Sequence, residues 1–184
     1  MKKLLWVVSI MTLLLSTQLI GAKDKNQYGI SVGIGQLNLE YKLNALMSAE
    51  LLASYPLNAT STINSTTIKT SFYSYGARVN LFSSDPLNSD WWLTARLYIS
   101  AFYRQTQYSI TSPDTTSKYL NQTGLIFGIR ALALKRVYID LGAGIGSATG
   151  SYFDYIEAQG GDLSALAYKI FYSIPIDIRV GFAF

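Results

Sequence analysis

Along most of this chain, apolar residues alternate with polar or small ones. In "IPIDIRVGFAF", residues 174–184, Ile174, Ile176, Ile178, Val180, Phe182 and Phe184 share one face, and Pro175, Asp177, Arg179, Gly181 and Ala183 share the other. A period of two is that of a β-strand, whose side chains point alternately to its two sides. The same period sets Tyr28, Ile30, Val32 and Ile34 against glycines and Ser31. It then sets Leu37, Leu39, Tyr41 and Leu43 against Asn38, Glu40 and Lys42, and Met47, Ala49, Leu51, Ala53 and Tyr55 against Ser48, Glu50 and Ser54. "FYSYGARVNL", "WLTARLYISAFYR", "TGLIFGIRA" and "VYIDLGAGIG" repeat it, and the last strand is expected to extend upstream through Lys169-Ile170-Phe171-Tyr172.

The phase flips between Ile34 and Leu37. A two-residue type II′ turn at Gly35-Gln36 does this, and so does a β-bulge. Long polar connections at 58–66, 111–118 and 157–162 alternate with shorter ones near 44–46, 83–90 and 135–136. With the hairpin the count is eight strands, all long loops fall at one end, and both termini fall at the other. With the bulge it is seven. The pattern predicts an all-β, antiparallel up-and-down barrel, with eight strands favoured by this parity.

The polar faces gather the charges Glu40, Lys42, Glu50, Arg78, Arg96, Arg104, Arg130, Asp140, Lys169, Asp177 and Arg179, whereas the apolar faces carry only Lys69, near a strand end. Alternation alone does not say which face is outside. A soluble lipocalin-like barrel exposes the charged face. A transmembrane barrel turns it to the lumen, because Arg or Lys facing mid-bilayer costs about 2–4 kcal/mol. Three features favour the membrane: glycine is frequent on the polar face, Trp91, Trp92 and many tyrosines sit near strand ends where interfacial girdles form, and the sequence stops on Phe184. Arginine at Leu97 or Ile139 is then expected to be costly, and a small polar residue at Ser100 or Gly144 tolerated.

The N-terminus fits this location. Lys2-Lys3, the apolar run Leu4 to Leu15, and Gly21-Ala22 before Lys23 form the three regions of a cleaved secretory signal peptide over residues 1–22. The barrel domain is then 23–184. Charged residues are 14%, against about 25% in soluble domains. The net charge of +4 falls to +2 without Lys2 and Lys3, too little to point to nucleic acid.

The signal peptide, the alternating strands and the ending Val180-Gly181-Phe182-Ala183-Phe184 resemble the small bacterial outer-membrane β-barrels, the group around outer-membrane protein A and the opacity-type adhesins. The resemblance implies an integral protein of a Gram-negative outer membrane, in contact with its lipid and lipopolysaccharide. It also implies that Val180, Phe182 and Phe184 form the signal read by the outer-membrane assembly machinery. No periplasmic peptidoglycan-binding domain is expected to follow the barrel.

Several barrels of this size are enzymes that use a histidine base. This sequence has neither histidine nor cysteine, which removes Ser-His-acid and Cys-His constellations and the usual zinc ligands. A carboxylate pair such as Glu40 with Glu50 remains, and pairing of these acids with lumenal arginines is the simpler expectation. The glycines of 142–146 precede no helix in this reading and are taken as barrel lining. No enzyme, cofactor or metal site is expected. Two functions stay open: a barrel with a filled lumen (Tyr98, Phe102, Tyr138 and Phe171 also pointing inward) that displays loops in a porin-like or adhesin-like outer membrane setting, or a small pore for ions or apolar molecules. The partner of the loops is not legible.

Overall fold

The structure, a computed structural model, describes residues 27–184 except 34–35, 55, 64–65, 90–91, 113 and 135. The expected signal segment 1–22 and Trp91 lie outside the described residues. Within them the strands are β1 (Tyr28–Gly33), β2 (Gln36–Asn44), β3 (Met47–Ser54), β4 (Leu57–Ile63), β5 (Thr66–Phe82), β6 (Asn88–Ser89), β7 (Leu93–Ser112), β8 (Asp114–Ala133), β9 (Val137–Thr149) and β10 (Ile176–Ala183), with helix α1 (Ser151–Tyr172) before the last. Hydrogen-bonded neighbours run β4-β5-β3-β2-β1-β10-β9-β8-β7-β6, and a β5–β7 ladder closes the ring. Eight strands therefore form an antiparallel barrel, while β4 folds as an arm on the upper half of β5 and β6 pairs with the foot of β7.

The period-two pattern becomes inside and outside. In β10, Ile176, Ile178, Val180 and Phe182 are exposed, whereas Asp177, Arg179, Gly181 and Ala183 are buried. β1 and β2 form a hairpin, as the parity of the strands favoured. Gly33 pairs with Gln36, so Gln36 belongs to β2 and not to the expected turn, whose other residue, Gly35, lies outside the described residues. A register shift does occur, later, between Lys42 and Asn44. It turns Leu43 inward and buries it, correcting the outward placement that strict alternation gave.

Two expected loops are strands. The 58–66 stretch is mostly the β4–β5 hairpin, and 111–118 is the tip of a β7–β8 ladder paired over its whole length. The rim is lopsided as a result. β7 and β8 have 20 residues each, about 66 Å along the strand, and β1 has 6, about 20 Å. Taking the end with Tyr28 and Phe184 as the lower end, β5, β7, β8 and β9 make a tall wall, and β10, β1, β2 and β3 a low one.

The third expected loop and the upstream extension of the last strand are both replaced by α1. Leu163, Leu166, Ala167, Ile170 and Phe171 recur at helical spacing, not at two. Gly161, at φ 76° and ψ 176°, divides the helix into two halves with a backbone that favours glycine. Among the described residues, no helix is long and apolar enough to cross a membrane.

Candidate functional site

The lumen is where the strand pattern collects its chemistry. Seven of the eleven charged residues assigned to the polar faces meet in one buried network: Glu40, Glu50, Arg78, Arg130, Asp140, Asp177 and Arg179. Arg130 reaches Asp140 through Nε and Nη2 at 2.7 and 2.8 Å, and both oxygens of Glu40 through Nη1 at 2.7 and 2.9 Å. Arg179 places Nη2 2.6 Å from Asp140 and Nε 2.8 Å from Asp177, and it donates from Nη1 to Glu50. Arg78 donates to Asp177 at 2.6 Å, and the Tyr98 hydroxyl donates to the same carboxylate at 2.7 Å. Asn80 donates to Glu50 at 2.6 Å. The chain of contacts spans β2, β3, β5, β7, β8, β9 and β10, tying the ring across its diameter.

Arg130 and Arg179 each hold two or more carboxylates, whereas Arg78 hydrogen-bonds Asp177 alone and keeps its Nε buried without a hydrogen-bond partner. The planar fork of a guanidinium holds two carboxylates at once, and a buried carboxylate is tolerable only when so paired. Glu40 and Glu50 do face each other across β2 and β3, but Arg130 binds the first and Arg179 the second. They form no free acid–base pair. No cluster of three or more metal-type ligands occurs among the described residues.

The other four assigned charges lie elsewhere. Lys42 and Arg96 line a cavity of about 260 Å³ at the lower mouth, with Phe82, Thr94 and Arg130, and Arg96 donates to the Ala45 carbonyl at 3.1 Å. Arg104 lies above the network and donates from Nε to Gln122 at 2.9 Å. Lys169 is a correction. It is exposed on α1, its Nζ 5.6 Å from the Phe153 ring centre, because that segment is helix and not strand. Phe171 is likewise 70% exposed, not lumenal, whereas Tyr98, Phe102 and Tyr138 do point inward.

Aromatic rings and glycines complete the packing. The Arg130 guanidinium lies 4.2 Å from the Tyr138 ring centre and 4.8 Å from that of Phe82. A Cβ at Gly181 would stand 2.3 Å from the Tyr138 ring, and one at Gly142 2.6 Å from the Tyr98 hydroxyl. A Cβ at Gly144 would meet the Leu125 carbonyl at 1.8 Å, so the tolerance expected for a small polar side chain there does not hold. Two other cavities in the lumen measure about 40 and 20 Å³, room for very few waters.

Above the network the filling changes. Tyr108, Ile110, Leu120 and Phe153 form a buried cluster, joined by Ile68, Phe72, Tyr152 and Tyr172. Tyr152 stacks on Tyr108 with ring centres 4.0 Å apart, and the hydroxyls of Tyr108 and Tyr172 are 3.1 Å apart. Burial pushes the Tyr152 hydroxyl up to about 12, so it stays neutral. Helix α1 is thus the lid of the lumen. The lid was missed because its helical period was taken for loop and strand; Tyr108 and Ile110 were missed because the strand was ended at Arg104, although both keep its inward parity.

The outer surface carries an apolar band bounded by tyrosines. Outward residues on β7 are Leu97, Ile99, Ala101 and Tyr103, then Gln105 and Gln107; on β9 they are Leu141, Ala143 and Ile145, then Ser147. The Tyr75 hydroxyl donates to Gln105 at 2.7 Å, and that of Tyr103 to Asn121 at 3.1 Å. At the lower end Trp92 is 48% exposed just before β7. Val180, Phe182 and Phe184 are outward, and Phe184 exchanges backbone hydrogen bonds of 2.8 and 3.0 Å with Tyr28.

No family model matches the chain, and no curated protein matches it. Among solved structures it is similar to the crystal structure of Ail, the attachment invasion locus protein of Yersinia pestis, at 10% identity and a TM-score of 0.36, over 85% of this chain and 92% of that one. A likeness this distant carries no functional argument.

Proposed function

We propose that this protein is a non-enzymatic, non-conducting integral barrel of a bacterial outer membrane, whose lumen is structural and whose working surface is the upper rim. The observation that carries the reading is an inverted barrel: ion pairs fill the inside and apolar side chains cover the outside. From Trp92 to Tyr103 the strand rises about 36 Å along its length, or about 25–30 Å along the axis at a tilt of 35–45°. That matches the outward apolar band of about 25 Å in outer-membrane barrels. Val180, Phe182 and Phe184, exposed at the lower end, suit recognition of the last strand by the assembly machinery. The tall wall and α1 would meet lipopolysaccharide headgroups and whatever partner lies outside the cell.

An eight-stranded barrel has room only for its own side chains, and here these are locked by ion pairs and rings. Single-channel recording of the refolded protein in a planar bilayer tests the reading. The expected trace has no discrete openings; a reproducible unitary conductance would replace this reading with that of a small pore.

A further inference from the structure

The second half of α1 has two unlike faces. Tyr172 belongs to the aromatic cluster that packs inward on the tall wall, and Tyr168, itself 43% exposed, stacks on it. About half a turn away, Leu163, Leu166, Ala167, Ile170 and Phe171 form an unbroken apolar stripe, and Leu163 is 82% exposed. A helix on the water-facing rim of a barrel should place its polar residues there.

The stripe continues a surface already described. Below Phe171 come Ile174 and Ile176, both exposed, in line with the outward face of β10. Gly146 donates to the Ser173 carbonyl at 2.8 Å, which fixes the end of the helix level with Ile145, the last apolar outward residue of β9. Helix α1 packs on β8 and β9, and the stripe is exposed on its other side; in the ring, β10 and β1 of the low wall follow β9. There β1 ends at Gly33, three residues below the start of β10, since Gly33 pairs with Arg179. A tilted strand needs about 9–11 residues to span a bilayer, and β1 has 6.

We infer that the C-terminal half of α1 is an interfacial helix, its Leu163–Phe171 stripe bedded in the outer leaflet of the bilayer, where it completes the apolar surface above the short strands β1 and β2. This rests on the membrane reading given above. The helix joins two surfaces: Tyr152, Phe153 and Tyr172 close the lumen, and the stripe meets lipid. An apolar helix face bedded at the acyl boundary gains from burial of its side chains.

The chain has no cysteine, so single replacements can be labelled uniquely. Leu166→Cys, Ile170→Cys, Leu97→Cys and Thr116→Cys, each carrying a nitrobenzoxadiazole probe, would be refolded into phosphatidylcholine vesicles with and without nitroxide-labelled lipid. Probes at 166 and 170 are expected to emit blue-shifted light, to be quenched by lipid nitroxide and to be protected from iodide, as at 97. The probe at 116, on the high hairpin, should show the reverse. Iodide quenching at 166 and 170 without lipid quenching, while 97 remains lipid-quenched, overturns the inference and leaves the barrel reading standing. Absence of lipid quenching at 97 overturns both. Disulfide-linked pairs of unlabelled Ile170→Cys in vesicles, with no lipid quenching at that site, would make a second copy the occupant and also overturn it.

Discussion

The lower and upper halves of the tall wall use the same strands with opposite polarity. Along β7 the outward residues Leu97, Ile99, Ala101 and Tyr103 give way to Gln105, Gln107, Ser109 and Thr111. Over the same distance the inward residues pass from Tyr98, Ser100 and Arg104 to Tyr108 and Ile110. β8 changes likewise, from outward Leu125 and inward Arg130 to outward Ser117 and inward Leu120. The phase of the strand does not shift; on the membrane reading proposed above, what changes is the medium outside. Facing lipid, the wall must send its polar groups inward, where buried charges are tolerable only as ion pairs. Facing water, the same wall can be polar outside and apolar within, like any soluble sheet. The level of exchange is marked by Tyr75 and Tyr103, whose hydroxyls bond to the first polar side chains above them.

The sharpest way to break the lower half is to remove one member of its network. Arg179→Met leaves Asp140, Asp177 and Glu50 short of a partner in a closed lumen, and should cost about 3–5 kcal/mol in urea unfolding of the vesicle-refolded protein. A loss below ~1 kcal/mol would mean that the network is not what holds the ring together. Moving one charge up the outside of β7 tests the boundary itself. Leu97→Arg should cost about 2–4 kcal/mol and Gln107→Arg about 0–1, by the same assay. Equal costs would erase the distinction between the halves.

The upper half should answer to a different change. Phe153→Ala opens the lid cluster, and the expected result is faster hydrogen exchange and protease cleavage within 151–172, with the barrel transition shifted little. If the barrel transition moves as far as for Arg179→Met, the two halves are one cooperative unit. The smallest effect in vitro is expected from deleting Phe184, which removes one outward ring and the hydrogen bonds to Tyr28. Refolding into detergent should be nearly unchanged while the outer-membrane level in cells falls; equal cellular levels would make Phe184 ordinary wall.

The lower half was legible in the sequence because a wall facing lipid, as proposed above, keeps its alternation along most of each strand, the inward turn of Leu43 excepted. Every outward position from Leu93 to Tyr103 is apolar, and the strands, the closure and the inward acids and arginines follow from it. Which arginine meets which acid was not legible, since register across the ring decides that Arg130 bridges Glu40 and Asp140. The upper half was misread where water relaxes the pattern. Polar outward residues at 105–111 and 114–118 have the composition of loops, yet their backbones pair residue by residue. In α1, Lys169 to Tyr172 read equally well as a strand or as one turn of helix; only the longer window from Leu163 separates them.

The unequal strands also set an order of assembly. β7 and β8 register along 20 residues each, whereas the seam between β1 and β10 has five registered pairs, from Gly29↔Ala183 to Gly33↔Arg179, made by the first and last strands. Closing that seam constrains the longest loop for the fewest backbone hydrogen bonds, and contacts distant in sequence form slowly. The tall hairpins are local and are expected to zip first. The ring is then shut last at its shortest ladder, when Arg179 arrives on the final strand to meet acids contributed by β3 and β9.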